Sequence, residues 1–466
     1  MAASEAAPYA QTGGLADVLE ALPKALAAQG HDVYVVLPRY GQIPLDRARR
    51  IWDHMPVWVG GRGFHASIWE TEDVPPVLLV DCPELFDRDG LYGAGGRDHP
   101  DNHIRFAAFS QAALGVARNV VRPRILHCHD WQTALAITYL RHHCNGDPAL
   151  LGVRTLFTIH NLGYQGRYGR EAFGDLGLDP TLFQADALEF EGDVNLLKGG
   201  IRFADRLSAV SPTYAREIQT PEHGFGLDDL LRSRRHLLSG ILNGVDYSRW
   251  NPETDPYIAA HYSEEDPEGK RACKLDLLRQ MGLPEDNLDR PLLGIVSRLA
   301  DQKGFGLMLD LTPMLLEGDF CLAVLGKGES VYEHYFRSLA AARPDRIAVR
   351  VDFDLRLAHR IEAGADMFLM PSRYEPCGLN QIYSLRYGTL PIVRATGGLE
   401  DTVDGTCGFK FRDFHSHQLW GAIVEALATF RNGSAWRAMM GAAMRKDYSW
   451  DVSAARYAEL YRSLLE

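Results

Sequence analysis

Thr12-Gly-Gly-Leu-Ala-Asp17 returns near the other end of the chain as Thr396-Gly-Gly-Leu-Glu-Asp401. In each copy a glycine pair opens a segment with a helical pattern. After the first, Leu15, Val18, Leu19, Leu22 and Leu26 recur at helical spacing. Gly30 closes that helix, and Asp32-Val-Tyr-Val-Val-Leu37 follows as a β-rich run, completing half of a βαβ unit. The strand expected ahead of the helix has only Met1-Ala-Ala to draw on. Further apolar runs at 76–80, 124–128, 155–159 and 206–210 read as buried parallel strands. The second half repeats the alternation more cleanly, with strands expected at 292–297, 320–325, 347–353, 367–370 and 390–393 and helical patterns between most of them. This alternation predicts an α/β fold with parallel sheets. The paired glycine turns suggest two doubly wound domains, one in each half.

Length agrees, because 466 residues exceed what one hydrophobic core normally holds. The expected division is a first domain over 1–245, a polar linker over 246–290, a second domain over 291–450 and a terminal helix over 451–466. The net charge of −12 disfavours a general nucleic-acid binder. A phosphorylated ligand would need Arg and Lys gathered locally. No apolar run is long enough for a membrane span, and no signal or transit peptide is visible. The seven cysteines form no C-x-x-C pair, which fits a reducing cytoplasm better than a disulfide framework.

The residues that suggest chemistry follow strands. Arg298 and Lys303 lie in Ser297-Arg-Leu-Ala-Asp-Gln-Lys-Gly304, past the carboxyl end of a strand, where open α/β sheets bind ligands. Two cations there could hold a diphosphate. Glu375, in Ser372-Arg-Tyr-Glu-Pro-Cys-Gly-Leu379, is placed to take hydrogen bonds from sugar hydroxyls. The amides of Cys377, Gly378 and Leu379 could bind phosphate. With no base beside it, Cys377 reads as a packed residue rather than a nucleophile. Glycine turns at strand-to-helix junctions let a backbone approach an anion, so Gly13, Gly14, Thr396, Gly397 and Gly398 are candidate contacts. His127 and His129 could suggest a metal with His160 or Asp130 as third ligand. Sugar-hydroxyl binding explains them better. Asp352-Phe-Asp354 has the spacing of a metal-binding Asp-x-Asp and reads as a chance occurrence.

Taken in order, Ser4-Glu5, Gln11-Thr-Gly-Gly-Leu-Ala-Asp17, His129-Asp-Trp131, Ile159-His-Asn161, Ile241-Leu-Asn-Gly-Val-Asp246, Ser297-Arg298, Gln302-Lys-Gly304, Glu375-Pro-Cys-Gly-Leu379 and Tyr387-Gly-Thr-Leu-Pro-Ile-Val-Arg394 closely resemble bacterial glycogen synthases and plant starch synthases, glycosyltransferase family 5. The resemblance runs from about Ser4 to the last helix. It implies a GT-B fold: two Rossmann-like domains facing a cleft, with the last helix returning to the first domain. It also implies metal-free, cofactor-free transfer, with retention, of glucose from ADP-glucose to the non-reducing end of an α-1,4-glucan. Arg298 and Lys303 then resemble the diphosphate-binding pair, Glu375 the carboxylate on the glucose hydroxyls, and His160 the histidine beside the reacting sugar. Asp130, Asn161 and Asn243 resemble polar residues lining that site, Phe353 an aromatic ring against adenine, and Gly13, Gly14 and Asp17 a loop over donor and acceptor. The family's loop usually begins with lysine where this chain has Gln11, which can donate hydrogen bonds but carries no charge. That departure raises UDP-glucose as an alternative donor and an inactive glucan-binding scaffold as an alternative role. A glucan phosphorylase would need a longer chain and a pyridoxal phosphate lysine site.

Overall fold

The computed structural model describes residues 1–466, folded as two compact units. Met1–Val210, Ala215–Gly244 and Trp450–Glu466 make up the first; Ser211–Tyr214 and Val245–Ser449 make up the second.

The second unit contains a six-stranded, wholly parallel sheet. Across the sheet the order is Ile347–Arg350, Cys321–Leu325, Leu292–Val296, Met367–Met370, Leu390–Arg394 and Phe409–Phe411. Numbered along the chain this is 3-2-1-4-5-6, the Rossmann order. The strand direction of travel reverses between Leu292–Val296 and Met367–Met370, so the loops leaving these two strands diverge and open a crevice. Leu293, Ile295, Leu322, Phe336 and Ile392 are among the fully buried side chains of the core.

The first unit is built the same way around a very short strand. Ala2 pairs in parallel with both Val36 and Cys128. Its N–H donates to His127 O at 2.8 Å, and the Ala3 N–H donates to Val36 O at 3.1 Å. Met1–Ala3 thus joins Val35–Pro38 on one side to Ile125–His129 on the other, with Arg154–Ile159, Arg206–Ala209 and Leu238–Gly240 continuing beyond. Outside Val35–Pro38 the sheet continues through Val77–Asp81 into the antiparallel hairpin Ala48–Val59 and Arg62–Thr71. Here too the order reverses, between Met1–Ala3 and Ile125–His129. The terminal helix Trp450–Leu465 belongs to this unit: Ser453 Oγ donates to Leu242 O at 2.6 Å, and Tyr461 Oη lies 2.8 Å from His127 Nδ1.

Two expectations need correction. The stretch 246–290 is not a linker but part of the second unit, and it carries the helix Gly269–Met281. Its polarity misled because two of its lysines, Lys270 and Lys274, are buried and paired inside the unit. Lys270 Nζ donates to Ala363 O, Tyr387 O and Thr389 Oγ1 at 3.0, 3.0 and 2.7 Å. Lys274 Nζ meets Asp366 at 2.6 Å. The strand expected over 347–353 stops at Arg350, because Asp352 takes its neighbour's amide and Asp354 caps the next helix by accepting from Leu357 N–H at 3.0 Å.

Beside Lys270, burial pushes the Glu362 carboxyl from 4.5 up to about 8. The folded chain therefore keeps a proton there that the unfolded chain loses, so this group's contribution is full below about 4.5 and is lost as pH rises to about 8. Glu362→Gln can still accept from Ser384 Oγ. In thermal unfolding it should gain progressively on the wild type between those two pH values and hold its advantage above them. A constant difference across pH would contradict the assignment.

Candidate active site

In the second unit the two loops that leave the reversal point are fastened together. The Arg373 N–H donates to Gln302 O at 2.9 Å, Gln302 Nε2 reaches Tyr374 O at 3.4 Å, and Asn380 Nδ2 donates to Val296 O at 2.8 Å. This brings Lys303 and Glu375 into contact: Lys303 Nζ lies 3.0 and 2.7 Å from the two carboxylate oxygens. Glu375 is buried, and Ser372 Oγ donates to its Oε2 at 2.9 Å. Arg298 is exposed on the same loop and donates to Gln302 Oε1 at 3.3 Å. A buried carboxylate thus faces the Lys303 ammonium at the carboxyl ends of parallel strands, with Arg298 on the same loop as the lysine. Phe353 stands apart. It follows the edge strand Ile347–Arg350, two strands or about 10 Å from Leu292–Val296, and is 87 % exposed.

In the first unit the candidates lie on the loops after Met1–Ala3, Ile125–His129, Arg154–Ile159 and Leu238–Gly240. Asp130 takes φ 56° and ψ −178°, a region nearly reserved for glycine that costs roughly 1–3 kcal/mol. Its carboxylate holds that geometry by accepting the His160 N–H at 2.8 Å and the Asn161 N–H. Burial raises its acid form to about 7 and lowers the His160 imidazolium to about 3. His129 Nδ1 lies 2.9 Å from His160 Nε2. His127 uses both ring nitrogens on hydroxyls, Thr158 at 2.6 Å and Tyr461 at 2.8 Å. Burial holds His127 and His129 well below the usual imidazole range, so near neutral pH all three rings are uncharged. No three His, Cys, Asp or Glu side chains converge as a metal site, and Asp352 and Asp354 are engaged with local backbone. His129 Nε2 and the Asn243 Oδ1 are buried without a hydrogen-bond partner from the protein.

The two glycine turns are held by different partners. In the first, the Thr12 and Gly13 N–H groups are taken by Glu5 Oε2 at 2.6 and 3.2 Å. Gln11 Nε2 donates to Asp17 at 3.2 Å, and Gly14 opens the helix Gly14–Ala28. In the second, Thr396 is buried and the Gly398 N–H faces the Glu375 and Pro376 carbonyls at 3.2 Å each. A Cβ on Gly397 would fall 1.9 Å from Glu375 O, and one on Gly398 2.0 Å from Cys377 O. These glycines exist so that two protein backbones can touch. Gly378, at φ 72°, shapes the same loop, Cys377 is a packed residue, and Leu379 precedes the helix Asn380–Arg386. The sequence assigns no role to Glu5, Ser372 or Gln302. Only their place beside strand ends hinted at one.

Residues 1–233 match the family described as the starch synthase catalytic domain, and residues 283–446 match glycosyl transferases group 1. The glycogen synthase of Anaeromyxobacter dehalogenans (strain 2CP-C) is 50 % identical, over 99 % of this chain and 98 % of that protein. That of Koribacter versatilis (strain Ellin345) is 47 % identical, over 99 % and 96 %. Among solved structures, the catalytic domain of starch synthase IV from Arabidopsis thaliana, bound to ADP and acarbose, superposes with a TM-score of 0.91 at 33 % identity, covering 100 % of this chain and 98 % of that one. Sucrose-phosphate synthase from Thermosynechococcus elongatus shares the fold, with a TM-score of 0.59 at 18 % identity over 99 % and 95 %. The architecture is thus GT-B-like.

Proposed function

Because this chain belongs to the glycogen and starch synthases and is a glucan-elongating glycosyltransferase, we propose that it transfers glucose from ADP-glucose, with retention and without a metal, to the non-reducing end of an α-1,4-glucan. The observation that carries this reading is the Lys303–Glu375 pair at the reversal point of the second sheet. Arg298 and Lys303 take the diphosphate, and Glu375 accepts from glucose hydroxyls. Asp130, His160, Asn161 and Asn243, polar or uncharged near neutral pH, suit sugar hydroxyls. The sugar C1–O bond to phosphate breaks, the acceptor O4 bonds to C1 from the same face, and the acceptor proton passes to the departing phosphate oxygen. Electrostatic stabilisation of the leaving group by the two cations is the main contribution of the protein.

ADP as the nucleotide is supported by the starch synthase IV structure, which holds ADP, and Phe353 is an exposed ring that could stack on a nucleotide base. Base–aromatic stacking contributes roughly 1–3 kcal/mol, so Phe353→Ala should raise KM for ADP-glucose about tenfold with kcat little changed. An unaltered KM would remove Phe353 from the site. The free cysteines support a cytoplasmic setting, and no helix is long and apolar enough to cross a membrane.

The reaction is tested by incubating the protein with ADP-glucose and maltoheptaose in excess EDTA. Longer oligomers carrying new α-linked anomeric protons by NMR are expected, at the rate seen without chelator. Loss of rate that a divalent cation restores would contradict metal-free transfer, and β-linked product would contradict retention.

A further inference from the structure

The turn Gln11–Gly14 is held from below by one carboxylate. Glu5 is 4 % exposed, and four donors converge on it. Oε2 accepts from the Thr12 and Gly13 amides at 2.6 and 3.2 Å. Oε1 accepts from Thr12 Oγ1 and Tyr92 Oη, both at 2.6 Å. Tyr92 is itself fixed by Ser4 Oγ at 2.8 Å. Between Glu5 and Thr12 the chain closes on itself through Ala6 and Ala10, whose backbones exchange two hydrogen bonds of 3.0 Å. Successive amides at such a turn form a concavity that suits an anion, and the protein's own carboxylate fills the inner part of it. A buried carboxylate is a poor source of stability compared with apolar packing. What this one supplies is a single conformation for a glycine-rich loop that would otherwise have many.

We propose that Glu5 is a positioning residue for glucosyl transfer, latching the Gln11–Gly14 turn, and with it the first turn of Gly14–Ala28, in the conformation that receives substrate. The proposal rests on the glucosyltransferase reading above. The latch works through hydrogen-bond geometry and not through charge, which makes it separable. In Glu5→Gln the carboxamide oxygen can accept from the Thr12 and Gly13 amides while its NH2 donates to the Thr12 and Tyr92 hydroxyls. Glu5→Ala removes all four bonds.

Both variants are compared with wild type by thermal unfolding and by kcat and KM for ADP-glucose and for glycogen. Because loosening of a positioned group by about 1 Å costs about 10²-fold, Glu5→Ala should lose kcat/KM on that scale while still folded at assay temperature, whereas Glu5→Gln should stay within about threefold of wild type. Wild-type kcat/KM in Glu5→Ala overturns the proposal, and so does Glu5→Gln falling as far as Glu5→Ala. If Glu5→Ala does not fold, the Thr12→Val/Tyr92→Phe double variant strips both hydroxyls from Oε1. A smaller loss in the same direction is then expected, and no loss overturns the proposal. Absence of transfer by the wild type itself would count against the glucosyltransferase reading and not against the latch.

Discussion

Lys303→Ala is expected to cut turnover by about 10²–10³-fold, the usual cost of removing one preorganised donor from a developing negative charge. Two losses combine. The ammonium that would stabilise departing diphosphate is gone, and Glu375 keeps only the Ser372 hydroxyl where it had Nζ at 3.0 and 2.7 Å. The charge on the leaving group grows between ground state and transition state, so kcat should fall more than KM rises. Lys303→Arg should recover only part of the rate. A planar guanidinium cannot occupy the position of a compact ammonium between the two oxygens of Glu375 and a phosphate. Steady-state kinetics with each variant checks this, and turnover by Lys303→Ala close to wild type would contradict the role given to the pair.

Gly304→Ala is the substitution expected to destabilise most. Gly304 sits at φ 76°, directly after Lys303, and a Cβ there would lie 1.9 Å from Pro371 O and 2.7 Å from its carbonyl carbon. Neither atom is at the end of a flexible side chain. Left-handed backbone costs a non-glycine residue about 1–2 kcal/mol, and forced overpacking adds typically about 1–3 kcal/mol. Denaturant unfolding should therefore show a loss of about 2–5 kcal/mol. Activity should fall as well, because the only local relief is to push apart the loops that bring Lys303 to Glu375. Gly421→Ala is the matched control. It lies exposed within the helix Ser416–Arg431 with nothing within 4 Å of the added Cβ, and should be neutral or more stable by about 0.4–1 kcal/mol. Equal effects at the two glycines would mean that the packing of Gly304 on Pro371 is wrong.

The parallel strands were legible because strands buried on both faces read as continuous apolar runs. Those at Cys321–Leu325 and Leu390–Arg394 appear within a residue or so of where such runs begin and end. The hairpin Ala48–Val59 and Arg62–Thr71 was not legible. Its inward residues Met55, Val57 and Val59 do alternate, but register shifts between Arg50 and Met55 break the period before it can be followed. The polar stretch after Asp246 was misread for a different reason. Burial of Lys270 and Lys274 depends on carbonyls and a carboxylate roughly ninety or more positions downstream, which no local window contains.

The same distinction governs the site. Arg298, Lys303 and Glu375 announced themselves by following strands, since the carboxyl ends of parallel strands are where such sheets bind ligands. Glu5 did not, because its partners Thr12, Gly13 and Tyr92 are assembled only by the fold. The two glycine turns were legible as motifs, but what their glycines pack against was not. A glycine needed for close approach does not say whether the thing approached is a ligand or, as at Gly397 and Gly398, the protein's own backbone.

The reading of this chain as an ADP-glucose-dependent glucan synthase is tested most directly by measuring kcat/KM for labelled ADP-glucose and, separately, UDP-glucose on glycogen with EDTA present. Efficient incorporation from ADP-glucose, and little from UDP-glucose, is the predicted result, and it would make Gln11 a tolerated change. Incorporation from UDP-glucose alone, or from neither donor by folded protein, would contradict it.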